Sequence, residues 1–267
     1  MKQRKRAEIT FSFGQNWQDY LSSVSLADTQ RAIQDIEYWL GSSSVVGKRI
    51  ADIGCGSGIQ SLAFHLLGAR HVHSVDVDPK SLEASRTLWD EAQRPPNWTI
   101  SHGSILDQAF VETLGRWDVV YAWGMLHHTG RMWEALRNAA TLVDRGGRLW
   151  ISLYVKGPHY TRDLVLKKRY NAASPLGKRW ILYRRIGRLM LRRVRRGKNP
   201  FGWNEKRPRG MNVYHDLVDW LGGLPYEVAS EDEVVRFGRG CGLILERIEV
   251  RREVGCSVYI FSAPRNG

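Results

Sequence analysis

The sequence predicts a doubly wound α/β fold. A seven-stranded, mostly parallel sheet should carry helices on both faces and end in an antiparallel C-terminal hairpin, with a basic, largely helical insert after strand five. Three observations predict it. Apolar runs alternate with stretches of helical periodicity over the first ~155 residues, and strand–helix alternation implies a parallel sheet. A glycine-rich turn stands where the first strand must pass into a helix. Two apolar runs at the end of the chain lie too close together for a crossover helix between them, so they read as antiparallel neighbours.

Taken in order, Ala27–Leu40 places Ile33, Ile36, Trp39 and Leu40 at helical spacing and stops at Gly41-Ser-Ser-Ser44. Lys48–Ile53 reads as the first strand, and Ile59–Leu67 as the helix after the turn. His71–Val77 is the second strand, and Pro79 at a first helical position opens a helix to Glu91. Trp98–His102 is the third strand, and the strongly apolar Trp117–Trp123 is the fourth. Met132–Leu142 is helical, Asp144-Arg-Gly-Gly147 reads as a turn, and Arg148–Val155 is the fifth strand. The pattern resumes at Ser230–Gly240, a helix with Glu231, Asp232 and Glu233 in its first turn. Leu243–Val250 and Ser257–Ala263 form the closing pair. The chain therefore divides into an N-terminal segment and α/β core (1–155), an insert (156–229) and a closing helix with two strands (230–267).

Composition narrows the class. With 267 residues, 43% hydrophobic and 25% charged, the chain is an ordinary globular protein. No run approaches ~18 apolar residues, so no membrane span is expected. The basic Met1–Arg6 is not followed by an apolar core, so no secretory signal is expected either. Cys55, Cys241 and Cys256 are widely spaced with no Cys-x-x-Cys pair, which fits a cytoplasmic protein rather than a disulfide scaffold. His71 and His73 would share one strand face but lack a third ligand, and no metal is assigned. The net charge of +13 is concentrated: the window from Lys156 to Arg209 holds 18 basic residues against two acids, a net +16, which leaves −3 for the rest.

The sharpest local signal is Ala51-Asp-Ile-Gly-Cys-Gly-Ser-Gly58. Glycines at 54, 56 and 58 let a strand turn sharply into a helix and bring backbone N–H groups close to a ligand. The spacing is G-x-G-x-G rather than the dinucleotide G-x-G-x-x-G, and Asp52 ends the strand beside it. A carboxylate there repels a pyrophosphate but suits an ammonium or sulfonium charge. Asp76, at the end of the second strand, is placed to accept hydrogen bonds from ribose hydroxyls. A ligand with a ribose, a positive charge and no phosphate satisfies both.

With these residues, the stretch from Asp52 to Val155 resembles the class I S-adenosylmethionine (SAM) dependent methyltransferases, whose core is Rossmann-like. Their first motif is matched by Asp52-Ile-Gly-Cys-Gly-Ser-Gly58 and their ribose acid by Asp76. The polar position after the third strand, which meets the adenine, is matched by Gly103-Ser104-Ile105. Most members carry an acid there; here Ser104 stands instead, with Asp107 nearby. The motif after the fourth strand is matched by Trp123-Gly-Met-Leu-His-His-Thr129, with Trp123 where backbone carbonyls meet the SAM amino group. Phe11-Ser-Phe-Gly-Gln-Asn-Trp17, Tyr121–Gly130, Arg209-Gly-Met211 and Asp216–Gly223 resemble more narrowly a bacterial subgroup labelled type 12 or ubiquinone-type methyltransferases. The resemblance implies SAM as cofactor and methyl transfer as the reaction.

Methyl transfer to a hydroxyl needs an aligned acceptor and a base with a pKa near 7. His128 and His127, just after the fourth strand, are the candidates, with His215 as rival. No Asn/Asp-Pro-Pro-aromatic run and no Pro-Cys nucleophile follows that strand, which turns the reading away from nucleobase chemistry. The expected acceptor is a hydroxyl on a small molecule, sugar or lipid-linked compound. An RNA methyltransferase and a non-catalytic SAM-binding scaffold are the alternatives. Phe11, Phe13 and Trp17 would either lid the cofactor or pack on the sheet.

In the insert, Lys178–Arg196 is a basic amphipathic helix with nine basic residues and no acid. Its wheel gathers Leu182, Tyr183, Ile186, Leu189, Met190 and Val194 on one side, and most of the basic residues on the other. Three readings stay open: contact with an anionic membrane through 178–196, nucleic-acid binding, or packing on the domain with the arginines drawing in an acidic substrate. No recognised RNA-binding module accompanies it, which ranks nucleic acid below the others. The expected location is the cytoplasm, peripheral at the inner membrane surface if the helix meets lipid. Arg209, Tyr214, His215 and Trp220 in the second half of the insert are the candidate substrate contacts.

Overall fold

The computed structural model describes residues 26–204, 213–251 and 255–265. Phe11, Phe13, Trp17 and the candidate substrate residue Arg209 lie outside them.

Helix α1 (Leu26–Leu40) leads through a short 3-10 turn to β1 (Arg49–Ile53). Four strand–helix units follow: α2 (Ile59–Leu66), β2 (His71–Asp76), α3 (Pro79–Glu91), β3 (Trp98–His102), α4 (Gln108–Leu114), β4 (Trp117–Trp123) and α5 (Met132–Thr141). Strand β5 (Val143–Tyr154) ends the parallel run. After it come α6 (Tyr160–Ala172), α7 (Pro175–Arg195) and α8 (Val213–Gly222), then α9 (Glu231–Gly240), β6 (Ile244–Glu249) and β7 (Cys256–Ser262). The strands form one seven-stranded sheet in the order β3-β2-β1-β4-β5-β7-β6. Only β7 runs against its neighbours, pairing antiparallel with β5 and β6. The fold class is the one predicted, and the two last strands are the antiparallel pair expected of them.

Alternation along the strands sorts the side chains into two layers. Ile50, Val72, Val119, Tyr121 and Trp150 pack with Ala32, Ile36 and Trp39 of α1 and Ala63 and Phe64 of α2. Ile53, Val120, Ala122 and Ile151 face the other way, against Val111 of α4, Ala135 and Leu136 of α5, and Val234 of α9. Strand order reverses between β1 and β4, so their carboxyl ends open the crevice where such sheets bind ligands.

Two expectations are corrected. Asp144–Gly147 is not a turn between elements but part of β5, where the β4–β5 register shifts between Trp117 and Val119. Gly146 takes φ 70°, and a Cβ on Gly147 would meet carbonyl oxygens of Trp117 and Asp118 at 2.9 Å, so the strand bulges past its neighbour there. The wheel of the basic helix is also redrawn. Leu182 and Ile186 are buried, but Tyr183 and Val194 are 62% and 54% exposed, because the buried side of α7 is narrower than the predicted one.

The insert has a small core of its own, Tyr170, Leu182, Ile186 and Leu221, flanked by Met190, Trp203, Leu217 and Trp220. Its ends meet: Val155 and Ala229 form a parallel bridge, Ala229 N–H donates to Tyr154 O (3.1 Å), and Lys156 N–H donates to Ala229 O (3.0 Å). Among the described residues no helix is long and apolar enough to cross a membrane.

Candidate active site at the switch point

The glycine turn takes the conformation its residues allow. Gly54, Gly56 and Gly58 have φ of 73°, 55° and 80°, a region that side chains with a Cβ avoid. A Cβ on Gly54 would stand 2.4 Å from Met125 Cγ, and one on Gly58 2.8 Å from Ser85 Oγ. The turn is thus pressed between β4's exit and α3, and it delivers the N-terminus of α2 to the crevice.

Asp76 ends β2 facing this turn. Its Oδ2 accepts from Gly56 N–H (3.0 Å) and its Oδ1 from Asp78 N–H (2.9 Å), with Val77 N–H also directed at the carboxylate, which keeps lone-pair capacity for a further donor. Burial raises its pKa above the ordinary carboxylate value, although those hydrogen bonds oppose the shift. Asp52 lies beneath the turn, 1% exposed. Trp98 Nε1–H donates to Ser74 Oγ (2.8 Å), Ser74 and Ser61 share a hydrogen bond (2.6 Å), and Ser61 donates to Asp52 Oδ2 (2.6 Å). Asp52 therefore ends a chain of donors that ties α2, β2 and β3 to the floor of the turn.

After β3, Ser104 Oγ accepts from Leu106 N–H (3.2 Å) and its carbonyl from Asp107 N–H (2.9 Å), making a tight turn. Ile105 is buried and its carbonyl accepts from Asn138 Nδ2 (2.7 Å). Asp107 caps α4 through Ala109 and Phe110 N–H. The Trp123 ring packs in the α1–α2 layer, stacked on Tyr121 (6.1 Å) and edge-on to Trp150 (5.8 Å).

Beyond β4 the chain makes a 3-10 turn, Leu126–His128, that sets two imidazoles side by side, ring centres 4.4 Å apart. Their partners assign their tautomers. His127 Nδ1 accepts from Tyr154 N–H (3.3 Å), which puts its proton on Nε2; that atom is buried with no hydrogen-bond partner among the described residues. His128 Nδ1–H donates to Pro225 O (2.7 Å), which makes Nε2 its lone-pair nitrogen. Burial drives both pKa values down, that of His128 to about 3, and the charge of Lys167 adds to it. Both rings are neutral at physiological pH, and His127 Nε2–H is a buried donor without a hydrogen-bond partner among the described residues.

Lys167 is the residue that sequence reasoning missed. It is fully buried on α6, donates to Trp220 O and Gly223 O, and lies over the rings of Tyr226 (4.5 Å), Trp220 (4.8 Å) and Tyr154 (5.5 Å). Burial lowers its pKa to about 7, against the opposing pull of Asp163. Tyr154, at the carboxyl end of β5, packs on His127 (4.0 Å) and Tyr226 (5.2 Å), and burial raises its pKa well above the usual phenol value. Glu227 also was not foreseen. Its carboxylate accepts from Met132 N–H at the start of α5, while its own N–H donates to His127 O (3.0 Å). The position of Tyr154 at a strand's carboxyl end was the one available signal; Lys167 and Glu227 gave none.

Of the candidate substrate residues, the structure brings Trp220 to the cluster, between Lys167 and Arg185 (4.5 Å). Tyr214 and His215 contact each other (5.4 Å) at the start of α8, and Tyr214 packs with the insert's core. His71 and His73 are held by Thr99 and Ser101, as strand neighbours are. Among the described residues no three His, Cys, Asp or Glu side chains are grouped to hold a metal.

Residues 51–149 match the family model described as a methyltransferase domain. Over those residues the chain is similar to methyltransferase domains. The Ribosomal protein L11 methyltransferase of Marinobacter nauticus is 57% identical to it over 56 residues, 21% of this chain and 18% of that one. The chain thus matches only about a fifth of the length of such curated relatives. The magnesium protoporphyrin IX methyltransferase of Synechocystis PCC 6803, solved with bound SAH, superposes with a TM-score of 0.57 at 16% identity, covering 94% of this chain and 95% of that one. An O-methyltransferase family protein from Burkholderia thailandensis gives 0.50 at 16% identity, covering 90% and 59%. These two are likenesses of fold. The turn fits what a SAM cofactor would require: little room for Cβ atoms at Gly54 and Gly58, a helix N-terminus, and a β2 carboxylate that can accept further hydrogen bonds. Gln60, the second residue of α2, adds a buried side-chain amide with no hydrogen-bond partner among the described residues.

Proposed function

We propose that the protein is a SAM-dependent methyltransferase that methylates a hydroxyl oxygen of a small acceptor, and that the insert, residues 156–229, builds the acceptor side. The observation that carries this reading is the cluster of His127, His128, Tyr154 and Lys167 at the carboxyl ends of β4 and β5, with Trp220 and Tyr226 packed on Lys167.

In this reading Asp76 and the backbone of Gly54–Gly58 hold the cofactor, Asp52 braces the turn from below, and Ser104 and Ile105 border the adenine. When bound, SAM supplies a methyl group on a sulfonium. Tyr226, Trp220 and Tyr154 give the acceptor's body an apolar, aromatic surround. His127 Nε2–H donates a hydrogen bond to the acceptor oxygen, and His128 Nε2 takes its proton. With a pKa of about 3, His128 is a weak base while Lys167 is charged. Loss of the Lys167 proton raises its basicity, so the two groups work as a pair.

The aromatic lining favours a small molecule over a polymer. The match to the ribosomal protein L11 methyltransferases covers a fifth of each chain, too little to argue for a protein acceptor. The test is transfer of labelled methyl from SAM into fractionated cell extract. Label in the small-molecule or lipid fraction is expected; label confined to RNA or protein would overturn the acceptor class. His128→Ala should lower kcat by about 10²–10⁴-fold with SAM affinity unchanged. An unchanged kcat would remove His128 as the base.

A further inference from the structure

Helix α7 has three sides. The first, with Leu182 and Ile186, is buried in the insert's own core. The second is a row of Leu176, Trp180, Tyr183, Gly187, Leu191 and Val194. Their spacings of four, three, four, four and three residues keep them on one line of the helix. The five side chains of this row are 50–76% exposed, and nothing lies within 4 Å of a Cβ built on Gly187. The third side is a row of exposed arginines, Arg184, Arg188, Arg192 and Arg195. It runs alongside the second row, with the Arg184 guanidinium over the Trp180 ring at 5.1 Å. The helix holds eight basic residues and no acid.

A contiguous outward row of two aromatics and three aliphatics is costly in water and is not needed by the insert, whose packing the opposite side already provides. We propose that this face of α7 docks on an anionic lipid surface. Trp180 and Tyr183 would sit at headgroup level, Leu176, Leu191 and Val194 would enter the acyl boundary, and the arginines would meet lipid phosphates. Charge complementarity selects an anionic surface. The aliphatic residues select lipid over RNA, because a phosphate backbone gives Leu176, Leu191 and Val194 nothing to bury against. The proposal goes beyond the methyl-transfer reading and does not depend on it.

The test is co-sedimentation of the full chain with phosphatidylcholine vesicles, with and without about one third phosphatidylglycerol. Binding is expected only to the anionic vesicles, weakening as salt is raised. Trp180→Ser combined with Leu191→Ser should weaken it about tenfold or more, with helical circular dichroism unchanged, since both side chains are exposed. Arg188→Gln combined with Arg192→Gln should weaken it similarly and flatten the salt dependence. Absence of binding would overturn the proposal, as would binding that the Trp180/Leu191 variant leaves intact. Tighter binding to RNA than to vesicles, lost in the arginine variant, would assign the face to nucleic acid instead.

Discussion

Two residues carry opposite electrostatic problems. Asp76 is a carboxylate held in place by backbone N–H groups at the cofactor turn. Asp76→Ala removes a charge-assisted acceptor worth about 1.5–3 kcal/mol, so calorimetry should find SAM bound roughly 10–100-fold more weakly. Unchanged affinity would refute the ribose assignment. Lys167 is a buried cation whose pKa falls from 10.5 to about 7. Between those values the unfolded chain binds more protons than the folded one, so folding stability rises with pH across this window and is flat below it. The full span is an upper bound of about 5 kcal/mol. Lys167→Met should flatten the dependence of Tm on pH between about 7 and 10. The same titration should appear in catalysis. Burial depresses His128 most and the charge of Lys167 adds to it, so kcat should rise with pH through about 7 in the native enzyme and lose that inflection in Lys167→Met. A wild-type profile with no inflection there would separate Lys167 from the chemistry.

Among the elements, those with a single kind of periodicity were legible. Strands β3 and β4 and helix α3 fall on their predicted bounds, since each has a clean apolar pattern and, for α3, a proline at the first helical position. Helix α4 was not foreseen, because its seven residues are too few for a 3.6-residue period to emerge. Helix α6 was hidden for a different reason. Its buried positions include Asp163, Lys167 and Tyr170, so it has no apolar stripe to read. Helix α9 was foreseen from its acids, and the structure adds a capping box: Ser230 Oγ accepts from Glu233 N–H (3.3 Å), and Glu233 Oε2 accepts from Ser230 N–H (2.7 Å). Ser230→Ala should cost about 1 kcal/mol, visible as a shifted denaturation midpoint with unchanged slope. No shift would mean that packing against the sheet alone holds the helix.

At the scale of the molecule, the proposed cofactor half is a local sequence pattern and the proposed acceptor half is not. The glycine turn, Asp52 and Asp76 are local in sequence and geometry, whereas His127, Tyr154, Lys167 and Glu227 meet only through the fold of the insert. The overall +13 likewise resolves into a mildly acidic core and a basic insert, so charge bears on where the protein goes more than on its reaction. Ligand linkage tests the core as a whole. SAM at about 100 times its Kd should stabilise the native state by ~2.7 kcal/mol, read as a Tm rise that ATP at the same concentration does not give. Equal shifts with both ligands would point to a general nucleotide site. The bridge between Val155 and Ala229 has a further consequence. Because the chain leaves the sheet and rejoins it at adjacent positions, the block between them can be exchanged without disturbing the register of β5 and β7. On the proposed function, a new acceptor would then require trading one cassette, while the proposed cofactor half is inherited intact.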